Sequence, residues 1–220
     1  MTAVNNVHQV PQIKDTLRQL REKDMLPAIW FIFSRRGCDA AVQYLEDSNL
    51  LDECEGVEVE LELKRFQNLY PDAVRDIATR GLLHGIAAHH AGCLPLWKSF
   101  IEELFQRGLV KLVFATETLA AGINMPARTA VISSLSKRGE IGRIPLSSNE
   151  LLQMAGRSGR RGIDDAGHVV LLQSPYEGAE ECCDILFSGL EPLVSQFTAS
   201  YGMVLNLLAV CDVSSRFAGA

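Results

Sequence analysis

Residues 110–126 read VKLVFATETLAAGINMP. The first six are a short apolar run and predict a buried strand. Thr116, Glu117 and Thr118 follow directly, which puts Thr116 at the strand's carboxyl end, where ligands bind in open α/β sheets. Hydroxyls and exposed amides at that edge suit a phosphate, and Gly122 relieves crowding before Asn124-Met125-Pro126. A plain structural loop with a threonine cap would look similar.

Outward from this stretch, strands are predicted at 27–33 (PAIWFIF), 85–89 (GIAAH), 129–133 and 167–172 (GHVVLL). Helical spacing fills the gaps. An amphipathic helix is predicted over 10–20, with Pro11 tolerated in its first turn, and another over 38–45. A third, over 96–105, puts Leu96, Phe100, Ile101, Leu104 and Phe105 on one face. A fourth, over 146–154, has Ser147 or Ser148 as its cap and Glu150 in the first turn. The stretch 52–69 alternates charged and apolar residues and predicts a solvated helix. Strand and helix alternating at this spacing mean an α/β fold with a largely parallel sheet. After Pro175 only helical spacing remains, over 179–186 and 191–210.

Composition sets the outer limits. The 220 residues are 47% hydrophobic and 22% charged, which excludes a disordered chain. The longest apolar run, Met25 to Phe33, contains a proline and is far short of the about 20 residues that span a bilayer. The opening residues have neither a basic start nor a hydrophobic stretch, so no secretory signal is predicted and a soluble intracellular chain is expected. A net charge of −6 argues against nonspecific coating of nucleic acid. The charge is uneven, however: 39–76 holds eleven acids and three bases, and 137–161 holds six bases and two acids. Six cysteines without a CxxC pair or zinc-finger histidines predict reduced, unpaired thiols.

The strongest chemical signal is Gln153-Met-Ala-Gly-Arg157-Ser-Gly-Arg160-Arg161-Gly162. Glycines bring backbone close to a ligand, and guanidinium groups bind phosphate oxygens through two nitrogens at once. A basic helix face at a turn is the bland alternative. Ser34-Arg35-Arg36 again puts polar residues at the end of a predicted strand. His89-His90-Ala91-Gly92 invites a metal, but neighbours on a strand point to opposite faces, and no carboxylate or cysteine at ligand spacing accompanies them.

In this order the four blocks resemble the second RecA-like domain of superfamily-two helicases. Ser34-Arg35 looks like motif IV, His89 to Gly92 like the block after it, Thr116 to Pro126 like motif V and Gln153 to Arg160 like motif VI. Asn124 with Met125-Pro126 points to the superkiller-like DExH-box RNA helicases, in wording similar to the plant plastid branch. The resemblance covers 25–210, since 197–208 (FTASYGMVLNLL) is similar to the family's lead into its winged-helix domain. It implies a linker or helix over 1–24, a three-layer RecA-like domain over 25–175, and a helical extension over 176–220 that starts a winged-helix module.

The resemblance also implies roles. Arg157 and Arg160 would be arginine fingers for the γ-phosphate of ATP, with Gln153 coupling that cleft to the partner domain. Gly122 and Asn124 would face the nucleotide. Ser34, Arg35, His90, Gly92 and Thr116 would line single-stranded RNA, where phosphate contacts position a strand without reading it. The sequence holds no G-x-x-x-x-G-K-[ST], so ATP and Mg2+ would be held mainly by a first RecA-like domain. Asp52-Glu53-Cys54-Glu55 mimics a DExH box but lies downstream of motif IV in the acidic stretch. The isolated chain is therefore expected to be inactive, as half of an ATP-dependent motor. The alternative is a catalytically silent RNA-binding or regulatory module, a shortened helicase product. A small-molecule enzyme would need a nucleophile–base pair, which the sequence does not offer. A chloroplast address follows from the resemblance alone.

Overall fold

The computed structural model describes residues 11–73, 76–120, 124–139, 142–174, 177–190, 192 and 199–210. In chain order its elements are α1 (Ile13–Glu22), β1 (Ala28–Phe31), α2 (Arg35–Tyr44), α3 (Glu53–Leu69), α4 (Asp76–Leu83), β2 (Ile86–His89), α5 (Pro95–Gln106), β3 (Leu112–Ala115) and β4 (Thr129–Ile132). They continue with β5 (Ser136–Arg138), β6 (Arg143–Pro145), α6 (Ser148–Ala155), β7 (His168–Leu171), α7 (Ala179–Phe187) and α8 (Tyr201–Val210).

Strands β1, β3 and β4 are buried at every residue, and these three lie inside the sheet. The order is β2-β3-β1-β4-β7, with every pair parallel. A parallel strand covered on both faces has no side to give to water, which is why these segments read as unbroken apolar runs. At the edge, β7 exposes Val169.

Alternation along the strands sorts side chains into two cores. Ile29, Phe31, Val113, Ala115 and Ile132 face one way and meet Val59, Leu63 and Phe66 of α3, Trp97, Phe100 and Ile101 of α5, and Leu151 and Met154 of α6. Ala28, Trp30, Leu112, Phe114 and Val131 face the other way, onto Leu17 and Leu20 of α1, Cys38, Ala41 and Val42 of α2, and Leu45 just after it. Helix, sheet, helix make the three layers of a RecA-like domain. The compact unit Met1–Leu190 includes α1 and α7, and Glu191–Ala220 is a separate unit containing α8.

Several expectations shift. Solvated only in part, α3 buries Val59, Leu63 and Phe66, and Phe66 stacks on Phe100 with ring centroids 4.4 Å apart. The Asp52–Glu55 decoy is its capping box: Asp52 Oδ1 accepts from the Glu55 amide at 2.8 Å, and Glu55 Oε2 accepts from the Asp52 amide at 3.1 Å. On α5 the buried stripe is Trp97, Phe100, Ile101, Leu104 and Phe105, while Leu96 is exposed. Positions 97, 100, 101, 104 and 105 have the i, i+3, i+4 repeat, and residue 96 is rotated off that stripe. Two elements carry no periodic signal in the sequence, α4 and the antiparallel hairpin β5–β6.

Candidate functional site

The register brings the first group of predicted residues to one edge. Phe31 and His89 are both level with Ala115, so the chain leaves β1, β2 and β3 at the same height. Ser34, Arg35, His90, Gly92 and Thr116 all follow these three adjacent strand ends.

At that edge α2 begins. Ser34 is extended and caps the helix, its Oγ accepting from the Gly37 amide at 3.1 Å. The first turn holds no acid; Arg35 and Arg36 occupy it and are exposed. Cations at a helix amino terminus oppose the helix dipole, so this arrangement favours an anion from outside.

His90 braces the neighbouring loop. Its Nδ1 accepts from the Gly92 amide at 3.1 Å, which puts the proton on Nε2 to donate to Asp39 Oδ1 at 3.0 Å. The ring is buried, so what it presents at the surface is the loop it holds. A Cβ on Gly92 would lie 3.1 Å from His90 Nδ1 and 3.6 Å from Arg35 Cδ, so the arginine stem runs close over the glycine. Buried Thr116 pairs its Oγ1 with Thr118 Oγ1 at 2.9 Å.

The two histidines do point to opposite faces, but each has a carboxylate, contrary to the expectation from spacing. His89 Nε2 meets Glu102 Oε1 of α5 at 2.7 Å, the partner lying 13 residues on. Cys93 Sγ also lies 3.6 Å from His90 Nδ1. Burial lowers the His89 pKa against the opposing pull of Glu102. Among the described residues no three His, Cys, Asp or Glu side chains form a group able to hold a metal ion.

The second group lies elsewhere, at the start of β4. Ser147 and Glu150 cap α6 reciprocally, and Lys137 pairs with Glu150. Leu151 and Met154 face the core and leave Gln153 exposed. Beyond the helix the Arg157 carbonyl accepts from the Ala127 amide at 2.8 Å, and the Gly159 amide donates to Ala127 O at 2.7 Å. The Arg157 guanidinium reaches back to the Ala120 carbonyl through Nε, at 3.1 Å, and Nη2. Motifs V and VI are thus stitched through backbone and side chain. Gly159 has φ +86°, and a Cβ on Gly167 would come within 2.6 Å of its backbone nitrogen, so both positions require glycine.

Arg160 is held differently. Its Nε and Nη2 donate to the two oxygens of Asp164, each at 2.8 Å. The Asp164 side chain is 1% exposed and also accepts from Arg128 Nε at 2.9 Å. These guanidinium groups hold its carboxyl well below the usual carboxylate range. Reading the sequence missed Asp164; an acid four residues after an arginine was the available signal. Exposed Asn124 precedes the fully buried Met125, and Gly122 lies outside the described residues. Of the nine described predicted residues, Ser34, Arg35, His90, Gly92 and Thr116 share the strand-end edge, Arg157 and Arg160 lie beyond α6 on Ala120 and Asp164, and Gln153 and Asn124 are exposed.

The family described as helicase conserved C-terminal domain matches residues 72–162. Over 96% of its length the chain is 73% identical to the DExH-box ATP-dependent RNA helicase DExH15, chloroplastic, of Arabidopsis thaliana, and covers 18% of that protein. It is 41% identical over 91% of its length to the probable helicase HelY of Mycobacterium tuberculosis, covering 23%. With the antiviral helicase SKI2 of Saccharomyces cerevisiae the identity is 37% over 89% of this chain and 16% of the relative. The chain spans less than a quarter of the length of these relatives. A three-layer parallel fold, the four blocks in order and this likeness identify the chain as a helicase C-terminal domain of the superkiller-like DExH-box family.

Proposed function

We propose that this chain is the second motor domain of an ATP-dependent RNA helicase, supplying arginine fingers for hydrolysis and part of the track for single-stranded RNA. One observation carries the reading: the Arg157 guanidinium is anchored on the Ala120 carbonyl, at the turn that leads away from the Thr116 edge. A group at the nucleotide is thereby mechanically tied to a group at the nucleic acid. Arg157 and Arg160 supply positive charge for a γ-phosphate, and such fingers contribute roughly 10³ to 10⁵ in rate. Gln153, Asn124 and Gly122 accompany them. Ser34, Arg35, Gly92 and the turn that Thr116 begins lie along the RNA backbone, with His90 and Thr116 bracing their loops from beneath.

ATP and Mg2+ are held chiefly by a first RecA-like domain, and the helical extension over 176–220 starts a winged-helix module. The chloroplast address comes from the relative in Arabidopsis thaliana. A second reading, a silent RNA-binding or regulatory module, draws on Arg160, whose Nε and Nη2 are both engaged by Asp164 within the chain.

Arg157→Ala and Arg160→Ala, each made in a polypeptide with a first RecA-like domain ahead of residues 1–220, separate the readings. ATP turnover falls at least about 10³-fold while RNA affinity is kept. Equal loss of turnover and RNA binding overturns the finger assignment.

A further inference from the structure

Asp164 has no part in the roles given so far, although it is among the most heavily engaged side chains of the domain. Its two oxygens accept Nε and Nη2 of Arg160, Nε of Arg128, and the Arg160 amide at 3.0 Å. Arg128 is itself fixed on the fold. Its amide donates to the Pro27 carbonyl at 3.0 Å, its carbonyl accepts from the His168 amide at 3.0 Å, and Nη1 donates to the Asp24 carbonyl at 2.7 Å and to the Asp24 carboxylate. A continuous line, Asp24–Arg128–Asp164–Arg160, therefore runs from the loop before β1 to the motif VI arginine.

We propose that Asp164 is the positioning residue that presents Arg160 to the nucleotide, holding one edge of the guanidinium so that Nη1 remains to meet phosphate. This rests on the reading of Arg160 as a finger. A bidentate carboxylate fixes both the plane and the direction of a guanidinium, which a single contact cannot do. The carboxylate is buried against Arg128, so it does not swing with solvent. Arg160 is then set before ATP arrives, and the cost of ordering a long side chain is met during folding.

The test compares Asp164→Asn, Asp164→Glu, Arg160→Ala and the Asp164→Asn/Arg160→Ala double variant. All are made in a polypeptide carrying a first RecA-like domain ahead of residues 1–220, and RNA affinity serves as the folding control. Asp164→Asn keeps the shape and loses the charge. It is expected to lower kcat about 10- to 100-fold with KM for ATP within about threefold, because misplacing a reacting group by an ångström costs about that much. Asp164→Glu, which restores the carboxylate, recovers part of the loss. The double variant is no slower than Arg160→Ala, since Asp164 has nothing left to position. If Arg160→Ala abolishes turnover while Asp164→Asn leaves it intact, the positioning role fails and the finger stands. Additive losses in the double variant, or a fall in RNA affinity matching the fall in kcat, reduce Asp164 to a structural residue. If Arg160→Ala leaves turnover intact, the finger assignment itself fails.

Discussion

Arg157 and Ala120 are 37 residues apart in sequence and joined in space, Nε of the arginine donating to the alanine carbonyl at 3.1 Å. Ala120 ends the short turn Glu117–Ala120 that follows β3, so the arginine is seated on the segment that begins at the ends of the central strands. A shift of either side of this contact is felt by the other.

Arg157→Lys keeps the charge and removes the fork that grips the carbonyl. Unfolding free energy of residues 1–220 is expected to fall by about 1.5–3 kcal/mol, the usual worth of a hydrogen bond to a charged group. Denaturant titration reads it directly. An unchanged midpoint would mean that the contact with Ala120 contributes nothing to the fold.

At the other cluster, capping and RNA contact can be separated at Ser34. Ser34→Ala removes the cap of α2 and is expected to cost about 1 kcal/mol, whereas Ser34→Asn retains a capping oxygen and costs little. Arg35→Ala leaves the cap alone and removes one cation. RNA affinity falls, and the slope of log affinity against log salt flattens by about 0.7, one phosphate of a single strand. An unaltered salt slope would take Arg35 off the RNA path.

Gly92→Ala tests the loop that His90 braces. The new Cβ stands 3.1 Å from His90 Nδ1 and 3.2 Å from its Cε1, so the ring or the loop must give way. Weaker RNA binding with a melting temperature close to that of the parent is the expected pairing. Melting and binding lost together would mean that the loop serves the core.

Much of this was legible in sequence because burial on both faces leaves a plain mark. The runs IWF and LVF had no polar position and could only be inner strands. Ser147 and Glu150 announced α6 through local chemistry alone. By contrast α4 carries Gly81 inside it, which spoils a helical pattern; a Cβ there would stand 2.3 Å from Val42 Cγ1, so close approach to α2 required the glycine. The hairpin β5–β6 has three-residue strands with Arg143, Ile144 and Pro145 all exposed, too short and too solvated to show a period. The site residues were found as types in a row. That Arg157 would seat on Ala120 and Arg160 on Asp164 depends on long-range packing and on a turn, which periodicity does not reveal.

His89 makes stability depend on pH on the acid side of neutral. Burial lowers its pKa in the folded chain from the ordinary 6.5, so the unfolded chain takes up a proton that the folded chain refuses. Its contribution is therefore complete above about pH 6.5 and is lost as pH falls from there toward the lowered folded value. His89→Gln, whose amide can still donate to Glu102, is expected to flatten that part of the profile. Denaturant titrations at pH 7.5, 6.5 and 5.5 measure it, and an equal slope in both proteins would assign the dependence to another group.

RNA-stimulated ATP turnover of residues 1–220, alone and joined to a first RecA-like domain, decides whether the chain is half a motor. No turnover is expected alone, turnover in the joined polypeptide, and its loss with Arg157→Ala. Turnover from the chain alone would contradict the account of half a motor. Silence in the joined polypeptide with RNA still bound would contradict it equally and leave a binding module.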